Sequence, residues 1–89
     1  MRNALIVLFA IMMAAPAMAA MTDVQVARAI IRDSVAQYPG PCACPYNVDR
    51  RGHSCGRRSA YSRPGGYAPI CYPSDVTPAM ISEFRRQHR

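Results

Sequence analysis

The chain has 89 residues and a formal net charge of +6, with eleven basic residues, all arginine, against five acids. That length leaves room for one small domain, near the lower limit at which a hydrophobic core alone supports a fold, and excludes a large multidomain architecture. No catalytic or cofactor signature stands out, so the sequence speaks first to location and to what holds the chain together.

Residues 1–19 read as a secretory signal peptide. Arg2 lies in a short n-region, an apolar run covers 4–14, and Pro16 precedes the small-residue site Ala17-Met18-Ala19. A retained membrane anchor is the competing reading, but Pro16 interrupts the run short of the ~20 residues that span a bilayer. Cleavage after Ala19 would leave 20–89 as a single domain, periplasmic or secreted, with no stable membrane span. Losing Arg2 would lower its charge from +6 to about +5. In an oxidising compartment Cys42, Cys44, Cys55 and Cys71 are expected to form two disulfides, each contributing ~2–4 kcal/mol.

Residues 22–38 are predicted to be an amphipathic helix. Thr22 with Gln25 makes a capping box. Val24, Ala27, Ile31, Val35 and Tyr38 recur at helical spacing, Val26 and Ile30 widen the apolar stripe, and Arg28, Arg32 and Gln37 lie largely opposite. Pro39-Gly40-Pro41 ends the helix, because proline biases the residue before it away from helical geometry. The stripe is read as the face that covers the cysteine-bearing stretch. A membrane-surface or partner helix is the sharper alternative.

Cys42-Ala43-Cys44 is expected to be extended between Pro41 and Pro45, which points both sulfurs to one side. Each would then pair with Cys55 or Cys71. The sequence does not separate the nested pattern, Cys44 with Cys55 and Cys42 with Cys71, from the crossed one. The nested pattern is favoured because it closes the shorter loop inside the longer.

Residues 57–72 suggest a turn and a short two-stranded ribbon. Pro64-Gly65 suits a type II turn, and 59–61 and 67–72 can extend on either side, with Pro69 confining the second to an edge. Thr77 is a plausible cap with Pro78 at the first helical position. Ala79, Met80, Ile81 and Phe84 then give a short apolar face, and Arg85 and Arg86 suit the helix end. The fold class is therefore a small disulfide-stapled α+β domain: an amphipathic helix, an irregular loop with a two-stranded ribbon, and a short, frayed C-terminal helix.

The loop from Asn47 to Cys55 has the spacing of a calcium loop, with Asn47 and Asp49 as oxygen ligands ahead of the turning Gly52. In spacing it resembles the DxDxDGxxCE loop of Excalibur-type exported domains, which implies calcium binding. Arg51 stands where the third carboxylate belongs and Gly56 where the glutamate belongs, so the segment reads as the turn without the ligands. More broadly, the run CxCPYN, CGRRSAYSRPGG and CY is similar to a small cysteine module of exported proteobacterial proteins. That resemblance implies export and carries no activity. The cysteine spacing lacks the paired knuckles of structural zinc sites, and oxidation would consume the thiols first. No metal or cofactor is expected.

Two chemical readings remain. His53 and His88 could serve as base and acid in a metal-independent nuclease, although His88 near the chain end is expected to be mobile. Alternatively Arg50, Arg51, Arg57, Arg58 and Arg63, interleaved with Tyr46, Tyr61 and Tyr67, form a surface for an anionic polymer or an acidic protein. The plainer view is that tyrosines cover a thin core with arginines stacked on their faces. The sequence favours an exported, non-enzymatic binding module. A small hydrolase and a structural or inhibitory envelope protein are the alternatives, and oligomeric state is undetermined.

Overall fold

The computed structural model describes residues 21–88, so the expected leader lies outside the described residues. The first helix, α1, is Asp23–Gln37. Thr22 Oγ1 accepts from the Gln25 amide at 3.2 Å while Gln25 Oε1 accepts from the Thr22 amide at 2.9 Å, completing the expected capping box. Tyr38 is extended, as a residue before proline should be. The second helix, α2, is Pro78–Gln87, with Thr77 capping the Met80 amide. Among the described residues, no helix is long and apolar enough to cross a membrane.

Packing divides the longest apolar row of α1: Val35 and Tyr38 lie against the cysteine cluster, as expected, whereas toward the N-terminus the Val26 row takes the place of Val24. Val26 and Ala29 are buried against Phe84 of α2, with Met21, Ile30 and Ile81 around them, whereas Val24 is 60% exposed. Both rows are apolar, and only the position of Phe84 decides between them. Arg85 ties the helices further, donating to the Met21 carbonyl at 3.2 Å and pairing with Asp23. At its end α2 is capped by His88, whose ring stacks on Phe84 with centroids 3.9 Å apart. Its amide and Nδ1 both donate to the Phe84 carbonyl.

The second cluster is built on sulfur. Ala43, Cys44 and Cys71 are buried together, with Val35, Tyr38 and Tyr72 against them. The disulfides are crossed: Cys42 pairs with Cys55, and Cys44 with Cys71. The nested expectation fails because the Cys-Ala-Cys segment bends at Ala43 and Cys44 instead of running straight. Cys44 opens a turn in which its carbonyl accepts from the Asn47 amide at 3.0 Å and its amide donates to Asn47 Oδ1 at 2.9 Å. That turn directs Cys44 toward α1 and Cys71. Cys55 leads through the 3₁₀ turn Gly56–Arg58 to Ala60, whose amide donates to the Cys42 carbonyl at 2.9 Å, and so comes to lie beside Cys42.

The two-stranded ribbon does not form. Among the described residues the strand-like pairing is a single antiparallel bridge between Val48 and Ser54. The backbone donors the ribbon needs are engaged elsewhere. Ala60 and Tyr61 donate to Cys42 and Ala43, Ile70 donates to Ser34 Oγ of α1 at 2.8 Å, and Cys71 and Tyr72 donate to Asp75 Oδ2. Pro69 has no donor. Gly65 has the positive φ of 73° that the expected turn requires, but the chain beyond it turns again, with φ of 43° at Ala68.

Candidate functional site

The loop from Asn47 to Cys55 is fixed at its base, waist and tip. At the base, the Cys55 amide donates to the Asn47 carbonyl at 2.9 Å, next to the Cys42–Cys55 disulfide. At the waist, the Asp49 amide donates to the His53 carbonyl at 2.8 Å. At the tip, Asp49 Oδ1 accepts from the amides of Arg51 and His53, both at 2.9 Å, and Gly52 takes a φ of 84° to close the turn. Arg58 then reaches across from the 3₁₀ turn, donating to Asp49 Oδ2 at 2.9 Å and to the Ser54 carbonyl at 2.8 Å.

Asp49 is accordingly held below the usual carboxyl range. The His53 amide is the largest cause, followed by burial acting in the opposite direction and then by Arg58 and the Arg51 amide. Its acceptors are directed inward, so the loop has the turn of a calcium loop while its carboxylate serves the protein's own donors. Among the described residues, no group of three or more His, Cys, Asp or Glu side chains gathers as metal ligands would.

This scaffold separates the five arginines of the expected site. Arg58 is a strut of the loop. Arg50 and Arg51 are exposed at its tip, and Arg57 is exposed on the adjoining 3₁₀ turn. Arg63 is also exposed, after the turn in which its amide donates to the Ser59 carbonyl. Within the described residues, none of Arg50, Arg51, Arg57 and Arg63 forms an ion pair. Ser59, fully buried beneath this segment, has its hydroxyl satisfied by Ser62.

The candidate tyrosines Tyr46, Tyr61 and Tyr67 belong to other contacts. Tyr61 donates its hydroxyl to Asp75 Oδ1 at 3.0 Å and meets Tyr72 edge-on, with Tyr46 on the other contact of Tyr72. Tyr67 is 63% exposed and meets Tyr38 edge-on at 4.9 Å. Among the described residues no arginine stacks on these rings: Tyr67 pairs with Tyr38, while Tyr61 joins Tyr72 and Tyr46 in a cluster of its own.

Asp75 is the polar centre of that cluster, and its role was not singled out in the sequence. Burial by itself would raise its carboxyl, but the amides of Cys71 and Tyr72 and the Tyr61 hydroxyl together hold it below the ordinary value. Donation to that carboxylate, aided by burial, raises the Tyr61 phenol. Burial first, then Tyr72 and Asp75 nearby, raises the Tyr46 phenol, whose hydroxyl donates to the Cys71 carbonyl at 2.9 Å. Both hydroxyls therefore remain protonated donors. The Pro73-Ser74-Asp75 run carries a turn signal that hints at this role. Asn47, first considered as a cation ligand, is likewise a backbone strut. The histidines sit on different elements, His53 exposed on the loop and His88 at the end of α2.

No protein-family model matches the chain, and no curated protein or solved structure shows significant similarity to it.

Proposed function

We propose that this protein is an exported, non-enzymatic binding module whose Asn47–Cys55 loop and adjoining 3₁₀ turn present Arg50, Arg51 and Arg57 to an anionic partner, with Arg63 exposed on the segment that follows. The observation that carries this reading is the division of labour among the arginines. Arg58 is consumed in holding Asp49 and Ser54, whereas the exposed three form no ion pair among the described residues and sit on a backbone pinned by hydrogen bonds and a disulfide. A preorganised backbone lowers the ordering cost of binding, and guanidinium matches phosphate and carboxylate bidentately. The exposed ring of Tyr67 offers a lesser, apolar contribution. The two disulfides are compatible with an oxidising compartment.

Immobilised single-stranded RNA and polyglutamate test the proposal and distinguish phosphate from carboxylate as the preferred anion. Wild type should be retained at low salt and released as salt rises. Arg50→Gln/Arg51→Gln/Arg57→Gln should reduce the salt slope on RNA by about 2–3 units. Absence of retention on both supports, or an unchanged slope in the triple variant, rules out the loop as the site.

A further inference from the structure

Away from the arginine loop, two apolar features are uncovered. The first is an open groove of about 520 Å³ between α1, α2 and Ile70. Ile30, Ile70, Met80 and Phe84 contribute its apolar lining, and among the described residues its charged side chains are the carboxylates Asp33 and Glu83, with no arginine. On a chain of +6 that is a local reversal of sign. The second is the α1 row Val24, Ala27 and Ile31. Among the described residues none of these three belongs to either buried cluster or packs against one; Val24 is 60% exposed, and Ala27 and Ile31 are half-buried. Arg28 and Arg32, both exposed, lie beside this row at helical spacing.

The features complement one another: an apolar groove with carboxylates, and an apolar helix row with guanidinium groups. At about 100° per residue Val24 and Ile31 lie about 100–180° around α1 from Ile30 and Asp33, with Ala27 nearer the groove edge, so one copy can offer Val24 and Ile31 while keeping its groove open. The row from 24 to 31 and the α1 wall of the groove from 30 to 37 each run about 10 Å. We propose that the chain self-associates by seating the Val24, Ala27 and Ile31 row of one copy in the α1–α2 groove of a second, with Arg28 and Arg32 meeting Asp33 and Glu83. Within one copy Asp33 pairs with Arg32 and Glu83 with Arg86, but these exposed pairs exchange at little cost.

Sedimentation velocity on the full oxidised domain, from about 10 µM to 1 mM, covers the range expected of so small a contact. Wild type should sediment faster as concentration rises. Val24→Asp, which places an acid on the row, and Ala79→Arg, which places a cation in the groove, should each weaken association by at least about tenfold. Both positions are exposed, and far-UV circular dichroism should show the fold retained. An equimolar mixture should associate again, because the first variant keeps its groove and the second its row. A wild type that stays monomeric throughout, a variant that associates like wild type, or a mixture that behaves as its separate components would each overturn the proposal. Neither substitution touches Arg50, Arg51 or Arg57, so the outcome is independent of anion binding.

Discussion

Replacing Cys44 and Cys71 together by alanine should damage the fold more than replacing Cys42 and Cys55. In the chain-entropy treatment, a sequence separation of 27 corresponds to about 3.5 kcal/mol, and one of 13 to about 2.9 kcal/mol. Burial widens the gap. Cys44 and Cys71 are 0% and 2% exposed and pack with Ala43, so deleting their sulfurs also leaves a void costing about 1 kcal/mol or more. In the other pair Cys55 is equally buried, at 2% exposure, and only Cys42 is half-buried, so the extra void is that of one sulfur. A folded unit of this size has roughly 3–10 kcal/mol in all. The Cys44→Ala/Cys71→Ala variant should therefore be the less stable of the two, by about 0.6 kcal/mol or more. Urea titrations followed by circular dichroism, without reductant, give both values. The reasoning fails if the Cys42→Ala/Cys55→Ala variant is the less stable, or if either pair costs under about 1 kcal/mol.

Partial reduction with alkylation and fragment-mass mapping should label Cys42 together with Cys55, and Cys44 together with Cys71; labelling Cys42 with Cys71 would restore the nested scheme. Val26→Ala should cost about 1–3 kcal/mol, and Val24→Ala no more than about 0.5, in the same urea titration. Equal costs would mean that α1 presents a different face to α2. Acid should destabilise the protein through Asp49 and Asp75. Both carboxyls are depressed in the folded state, so their contribution is complete well above the ordinary value of 3.8 and is lost as pH falls through the lower folded values. Asp75→Asn should flatten that acid limb in thermal melts between pH 7 and 2; an unaltered limb would remove Asp75 from the account. Asp75→Ala should also cost about 1–3 kcal/mol at pH 7 by leaving the Cys71 and Tyr72 amides unpaired.

Short-range features of this chain were legible in its residues. Thr22 with Gln25, Thr77 before Pro78, and Pro39 after Tyr38 each act within a few positions, and the helix ends follow from them. The positive φ at Gly65 and Gly52 is equally local, since only the missing side chain and the neighbouring turn residues matter. The arginine loop was legible as a place, because turn formers and guanidinium groups crowd together there.

What the tertiary structure alone decided are choices between near-equivalents. Val24 and Val26 both suit an apolar face, and Phe84 of α2 selects one. Arg57 and Arg58 are adjacent, and the position of Asp49 makes Arg58 a strut. Cys42 and Cys44 are two residues apart, and the Asn47 turn assigns each its partner. The segments 59–61 and 67–72 could each extend, but Cys42, Ala43, Ser34 and Asp75 take their donors. In each case the sequence offers alternatives of similar local free energy. The long-range contacts that rank them exist only once the chain has folded, so the sequence by itself determined the helices and the oxidised staples, and the packing determined which side chains they hold and which they leave exposed.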